Sequence, residues 1–262
     1  MSGTRSHVLV TRPQGQAGAL CEALANAGFK AHAQPLLALQ PVTTLTAAQK
    51  TQLYNLDTYQ HIIFASTNAV RFGMALVADY WPQLPVGIQW YAIGTATAKA
   101  LDEYGVQAHT AASPMTSEAL LCLPALMQVS DQRVLIIKGE GGRTTLRDAL
   151  QARGATVDEL ACYVRSCPES GPGELAALLD EWQIDIILIS SGEGLLNLQA
   201  LLSPQESTKF NAIGLVVPSA RVAQLAQQIG FHRLVIAENA SDAAMLRALE
   251  EWESSVGESV GE

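Results

Sequence analysis

Short runs of apolar, mostly β-branched residues recur along the chain, and between them apolar positions return every three or four residues. Val8–Val10, Ile62–Phe64, Trp90–Ile93, Val134–Ile137, Ile186–Ile189 and Leu215–Val217 are continuous apolar segments. Such segments fit strands buried on both faces of a parallel sheet. Between them, Ala17, Leu20 and Leu24 precede Gly28, Ala98 and Leu101 precede Gly105, Leu146 and Leu150 precede Gly154, and Val222 and Leu225 precede Gly230. That spacing predicts amphipathic helices, each closed by a glycine suited to the left-handed residue that ends a helix. Thr116 or Ser117, and Asn239 or Ser241, are N-cap candidates for the last helix of each half. Strands alternating with helices over short links predict an α/β fold of open, doubly wound parallel sheets.

The pattern is stated twice. His7-Val8-Leu9-Val10-Thr11-Arg12 returns as Arg133-Val134-Leu135-Ile136-Ile137-Lys138, and Ile62-Ile63-Phe64-Ala65-Ser66 as Ile186-Ile187-Leu188-Ile189-Ser190. Tyr91-Ala92-Ile93-Gly94-Thr95 returns as Leu215-Val216-Val217-Pro218-Ser219, and Thr116-Ser117-Glu118 as Ala240-Ser241-Asp242. The offsets are 126, 124, 124 and 124 residues, whereas a solenoid unit spans roughly 20–50. The repeat therefore predicts two similar flavodoxin-like domains, with a cleft into which equivalent strand ends face. Two more extended stretches, Leu36–Gln40 between Pro35 and Pro41 and Leu160–Val164, stand at equivalent places. They predict a pair of strands acting as a hinge that the chain crosses twice. Periodicity alone leaves open whether the domains are contiguous halves or exchanged ones.

Composition narrows the function. At 262 residues the chain can bury two ordinary cores, and 48% hydrophobic with 16% charged residues is globular. The net charge is −9, but Glu250–Glu262 carries five acids and no base, which leaves the rest near −4. No basic patch or arginine-rich run points to nucleic acid or to an anionic membrane surface. An anionic ligand has to be captured locally, by backbone N–H groups and a few cations. The start, Met1–Ser6, leads straight into a strand without an apolar leader, and no apolar run approaches the ~18 residues of a membrane span. These features predict a cytoplasmic protein. Cys21, Cys122, Cys162 and Cys167 lack CxxC spacing and are expected to be reduced apolar filler. Five scattered histidines lack HxxxH or HExxH spacing, so no metal site is expected. The polar tail, Ser254–Glu262, is expected to fray.

In a doubly wound sheet, ligands bind beyond the carboxyl ends of the strands, beside helix N-termini. Those places are rich in hydroxyls and small residues here. They offer Thr11 and Arg12 with Lys138, Gly139 and Arg143; Ser66 and Asn68 with Ser190 and Ser191; and Thr95 and Thr97 with Ser219 and Arg221. Each set presents backbone donors and a hydroxyl or cation, which suits carboxylate or phosphate oxygens. The competing reading makes each serine or threonine a helix cap and each arginine a solvated charge; six repeated instances weigh against it for the group. Gly139-Glu140-Gly141-Gly142-Arg143 lacks the spacing of a P-loop, and no GxGxxG follows a strand, so a nucleotide cofactor is disfavoured. The stretch reads equally as an anion-binding nest or a plain turn. No serine–histidine–acid order, carboxylate pair or Cys–His dyad advertises a nucleophile.

At these strand ends the chain resembles the uroporphyrinogen-III synthase family. The matching stretches are Val10–Pro13, Ile63–Val70, Ala92–Ala98, Lys138–Arg143, Cys162–Arg165, Ser190–Gly192 and Val217–Arg221, within a likeness running from about residue 7 to 249. Their order and spacing together carry it. The resemblance implies two α/β domains joined by a two-stranded ladder, and it favours exchange: residues 1–35 with 167–262 in one domain, 41–160 in the other, and 36–40 with 160–166 as the ladder. It implies cyclisation of hydroxymethylbilane with loss of water and inversion of ring D, with no cofactor. In the family a tyrosine near the ladder is associated with loss of the hydroxyl, and Tyr163 occupies that position; its phenol can donate a proton to a departing hydroxyl. The alternative for Tyr163 is an amphipathic residue packed on the hinge. Ala220 and Thr95 stand where some relatives have other small polar residues.

Two function classes follow. One is a cofactor-free cyclising lyase, a monomer whose partner is hydroxymethylbilane and which makes at most transient contact with the preceding pathway enzyme. The other is a two-lobed cytosolic sensor or carrier for a small polycarboxylate. Tyr163 beside the hinge, Lys138 and Arg143 at one strand end, and the lack of an output segment favour the enzyme.

Overall fold

The computed structural model describes residues 5–111, 115–203, 205–206 and 212–258. In chain order they form β1 (His7–Val10), α1 (Gly18–Asn26), β2 (Lys30–Ala33), β3 (Ala38–Pro41), α2 (Ala47–Tyr54), β4 (His61–Phe64) and α3 (Thr67–Tyr80). Next come β5 (Gln89–Ala92), α4 (Thr95–Asp102), α5 (Ser117–Leu120), α6 (Pro124–Met127), β6 (Arg133–Gly139), α7 (Thr145–Ala152) and β7 (Thr156–Ser166). Then follow α8 (Glu174–Glu181), β8 (Ile186–Leu188), α9 (Gly192–Leu201), β9 (Gly214–Val217), α10 (Ala220–Gln228), β10 (Leu234–Ile236) and α11 (Asp242–Glu258). The chain divides into two compact units, Met1–Leu39 with Ser166–Glu262, and Gln40–Arg165.

In the first unit five strands lie in the order β10-β9-β8-β1-β2, with β1 parallel to β2 and β8, and β9 parallel to β8 and β10. Successive strand residues point to opposite faces. Val8, Val10, Ile186, Leu188 and Val216 accordingly pack with Leu20 and Leu24 of α1 and with Met245 and Leu249 of α11. Leu9, Ile187, Leu215 and Val217 pack with Leu175 and Leu179 of α8, Leu195 and Leu198 of α9, and Val222 and Ala226 of α10. Helices thus cover both faces, which is why these strands read as unbroken apolar runs.

The second unit has the order β3-β7-β6-β4-β5, with β4 parallel to β5 and β6, and β6 parallel to β7. Ile63, Tyr91, Val134 and Ile136 pack with Leu120, Leu126, Leu146 and Leu150 on one face. On the other lies α3, so close that a Cβ on Gly73 would come within 2.5 Å of Ile137 Cγ2 and 3.3 Å of Phe64 Cε1.

The helix stops are those the glycine spacing predicts. Gly28 and Gly154 have φ of 88° and 85°, and the next residue's N–H reaches back into the helix, Phe29 to Leu24 O at 3.0 Å and Ala155 to Leu150 O at 3.1 Å. Only glycine takes that conformation without a Cβ penalty. Between the cap candidates, Thr116 caps α5 by accepting from Ala119 N at 3.2 Å, and Ser241 accepts from Ala244 N at 3.3 Å at the head of α11.

Elsewhere the structure departs from the apolar pattern. β2 and β10 are sheet edges with half-exposed side chains, so backbone pairing rather than burial makes them strands. The stretch expected at Leu36–Gln40 is a strand only from Ala38; the backbone of Leu36 is bonded within the first unit, its N–H donating to Thr11 O and its carbonyl accepting from Asn197 Nδ2. Its neighbour β7 is eleven residues long and belongs to the second unit's five-stranded sheet. Cys122 and Cys167 are exposed, not apolar filler; Cys162 is buried. The tail expected to fray from Ser254 continues α11 to Glu258, and 259–262 lie outside the described residues. Among the described residues no helix is long and apolar enough to cross a membrane, and no cluster of three or more metal-ligating side chains occurs.

Candidate functional site

Both sheets contain a point where successive connections leave in opposite directions. In the first unit the chain moves from β1 outward to β2, then returns to β8 and proceeds to β9 and β10. In the second it moves from β4 outward to β5, then returns to β6 and proceeds to β7. Loops diverging from neighbouring strands leave a crevice at their carboxyl ends. In the second unit that crevice is a pocket of about 210 Å³, whose lining includes Ser66 after β4, Lys138 and Gly139 at the end of β6, Arg143, and Glu159, Tyr163 and Arg165 of β7.

Tyr163 is 4% exposed. Its ring lies against the end of β6, where the ladder slips by one residue: Lys138 is opposite Ala161, but Gly139 is opposite Tyr163. Such a bulge re-aims the side chains beyond it. The phenol oxygen lies 3.4 Å from Ser66 Oγ, and the Phe72 ring centroid is 5.3 Å from that of Tyr163. Ser66 caps α3, accepting from Ala69 N at 3.1 Å. Its oxygen is thereby held at the positive end of a fourteen-residue helix while its O–H remains available to donate.

Charge in the pocket is predominantly positive, Lys138, Arg143 and Arg165 against Glu159. Lys138 Nζ is 2.9 Å from Glu159 Oε1, whose other oxygen is 3.3 Å from Arg147 NH1. Arg143, 68% exposed, is 3.2 Å from Glu118. The Glu118 carboxyl is held below the usual range by its own backbone N–H, then the Thr116 hydroxyl, then Arg143. Arg165 NH2 donates to Glu140 O at 3.1 Å. The adjacent Cys162 is buried, its thiol 3.3 Å from Lys138 O and 3.7 Å from Ala69 O of α3; burial pushes it up to about 12, so it stays a thiol. Among the expected residues this pocket therefore gathers Ser66, Lys138, Gly139, Arg143 and Tyr163. Asn68 is the second residue of α3. Thr95, at the start of α4, is exposed with its N–H and hydroxyl on Met115 Sδ, and Thr97 is buried, 3% exposed.

In the first unit the expected residues are occupied differently. The Thr11 hydroxyl, 2% exposed, donates to Leu188 O at 2.7 Å and ties β1 to β8 at the crossover point. Arg12 NH2 lies 2.5 Å from Asp242 Oδ1 and donates to Ala240 O at 2.6 Å, while its Nε is buried without a partner. Ser191 and Ser219 cap α9 and α10, accepting from Gly194 N and Val222 N. Ser190 is half-buried after β8, and Arg221 is exposed on α10. Cap and ligand contact are compatible, because a capping hydroxyl accepts the amide and still has a hydrogen to donate. Sequence reasoning missed Glu159 and Arg165. Period two along β7 could not have joined them, because the register slip between Ala161 and Tyr163 puts Glu159 on the other face of the strand from Tyr163.

Fold and pocket together define an α/β protein of parallel sheets with a cation-lined, tyrosine-containing recess at a topological crossover. The family model described as uroporphyrinogen-III synthase HemD matches residues 18–247. Uroporphyrinogen-III synthases of Escherichia coli K12 and Salmonella typhimurium LT2 are 33% and 34% identical over 93% of this chain and 99% of their own lengths. A mutant uroporphyrinogen III synthase from Thermus thermophilus superposes with TM-score 0.59 at 18% identity, covering 96% of this chain and all of that one. The synthetase from Helicobacter pylori 26695 superposes with TM-score 0.62 at 13% identity and the same coverage; these two establish likeness of fold. The chain belongs to the uroporphyrinogen-III synthase family.

Proposed function

We propose that this enzyme, a lyase, closes hydroxymethylbilane to uroporphyrinogen III, with Tyr163 as the group that assists departure of the terminal hydroxyl. The observation that carries the reading is the phenol of Tyr163, held beside Ser66 Oγ in a pocket lined by Lys138, Arg143 and Arg165. The phenol donates its proton to the leaving hydroxyl of ring A, which departs as water and leaves an azafulvenium cation beside the phenolate. The substituted position of ring D attacks that carbon, the spiro intermediate fragments, and recombination closes the macrocycle with ring D inverted. The ring proton shed at closure restores the phenol, so the cycle needs no external acid or cofactor. The cations hold substrate carboxylates, and most of the acceleration comes from bringing rings A and D together. The strand-end groups Asn68, Thr95, Ser190, Ser191, Ser219 and Arg221 supply further carboxylate contacts, whereas Thr11 and Thr97 are buried and Arg12 is ion-paired to Asp242, so these three are left to the fold.

An internal duplication is part of the same reading. Under the sequence repeat β6 corresponds to β1, β4 to β8 and β5 to β9, and the order β7-β6-β4-β5 then parallels β2-β1-β8-β9. The exchanged arrangement, with residues 36–40 and 160–166 joining the domains, is supported by the two units' composition along the chain. We place the enzyme in the cytoplasm as a monomer. Mixing it with freshly made hydroxymethylbilane and identifying the macrocycle isomer tests the reaction; formation of isomer I alone rejects it. Tyr163→Phe should lower kcat by roughly 100-fold with little change in KM, as expected for loss of a general acid. Unchanged turnover removes Tyr163 from the chemistry.

A further inference from the structure

Gly139 is the one residue of the Tyr163 pocket that contributes by lacking a side chain. A Cβ built on it would lie 2.5 Å from Tyr163 Cζ, 2.7 Å from Cε2 and 2.9 Å from the phenol oxygen. Carbon atoms attract best at ~3.5–4.0 Å, so these separations are deep in repulsion. Every contact named is at the hydroxyl end of the ring, the end that reacts. The backbone of Gly139 does not itself demand glycine, since its φ is outside the left-handed region occupied by Gly141 and Gly142. The demand comes from the phenol.

We infer that Gly139 is a positioning residue for the reaction: its missing side chain, at the bulge that sets it opposite Tyr163, is the seat in which the phenol lies at the end of β6. Three observations converge on that seat. The register slip between Lys138 and Gly139 puts Gly139 rather than Lys138 against the ring. Ser66, fixed as the cap of α3, marks where the phenol oxygen ends, at 3.4 Å. Phe72, with its ring centroid 5.3 Å from that of Tyr163, limits how the ring can yield. The Tyr163 backbone is held in turn by Glu140 N, which donates to Tyr163 O at 2.8 Å, so main chain and ring are anchored to the same strand end. A methyl group on Gly139 has to expel the hydroxyl end of the ring while Lys138 and the pocket cations keep their places.

This inference rests on the catalytic reading of Tyr163, and its test separates the two. Gly139→Ala, Tyr163→Phe and the double variant are assayed for isomer III formation, with thermal melting to confirm folding. Displacing a catalytic group by about 1 Å can cost ~100-fold, so Gly139→Ala should lower kcat on that order with KM nearly unchanged. In the Tyr163→Phe background the same substitution should cost less than about twofold, because the hydroxyl it misplaces is already gone. The crowded ring remains in the phenylalanine background, so a merely structural effect of the methyl group would persist there. Equal losses in both backgrounds, or wild-type kcat in Gly139→Ala, overturn the inference. Fluorine NMR of protein carrying 3-fluorotyrosine, with the Tyr163 signal assigned by its loss in Tyr163→Phe, reads the ring independently of activity. Gly139→Ala should shift that signal and leave the other tyrosine signals in place; an unmoved signal rejects the seat even if Tyr163 proves inert in catalysis.

Discussion

At Gly214, the first residue of β9, the indole of Trp252 fills the space a side chain would need; a Cβ there would overlap its six-membered ring. Arg233 stacks over the same indole, 5.7 Å from its centroid. Gly214→Ala must push α11 or the indole away, and overpacking of this kind costs about 1–3 kcal/mol. Its urea midpoint should fall with the slope unchanged, and tryptophan emission should shift to the red; an unmoved midpoint contradicts the packing. At this scale the sequence was partly legible. Lys138, Ser66, Gly139 and Arg143 could be named from their places after strands and Tyr163 only through the family resemblance, but Gly139 and Gly214 owe their importance to rings that arrive from 24 and 38 residues away. Nothing local marks such a glycine.

Among the elements, β2 illustrates a strand held by neighbours rather than by its own apolarity. His32, on this edge, stacks on Trp182 with centroids 4.8 Å apart and on His7 at 5.9 Å. Its pKa is lowered from 6.5, first by burial, then by the charges of His7 and Lys30. The folded state therefore resists protonation at a pH where the unfolded chain accepts it. With more protons bound when unfolded, stability falls as pH drops through 6.5 toward the lower folded value. Urea midpoints at pH 7.5, 6.5 and 5.5 should decline, and His32→Phe should flatten that decline; equal slopes would mean His32 does not contribute. The helix-capping glycines and serines were legible because a positive φ and an N-cap are local demands. The edge strands β2 and β10 were not, since their residues satisfy neither the buried-strand nor the helix period, whereas β5, also an edge, was legible as an apolar run.

For the whole molecule, the two units each own their hydrophobic clusters: Leu9, Leu175 and Leu215 pack in one unit, Ile63, Leu120 and Val134 in the other. Separate cores predict that unfolding is not all-or-none. Calorimetry should give a measured enthalpy larger than the van't Hoff value; a ratio of one would mean that the units melt as a single cooperative body. The division itself was only half legible. The repeat at a nearly constant offset led to an expectation of two modules and left contiguous and exchanged layouts equally open; the two compact units come from the tertiary contacts.

What the sequence determined by itself was whatever depends on neighbours along the chain: apolar runs that become central strands, helices that stop at Gly28 and Gly154, hydroxyls placed to cap the following helix. What only the tertiary structure decided was which strand ends meet. β1 finds β8 across more than 170 residues, and the bulge at Lys138 and Gly139 turns Tyr163 toward Ser66. Closing a long loop costs little more than closing a moderate one, so partner choice is not written in chain distance. It is settled by long-range backbone pairing and side-chain fit, which exist only once the sheet has formed.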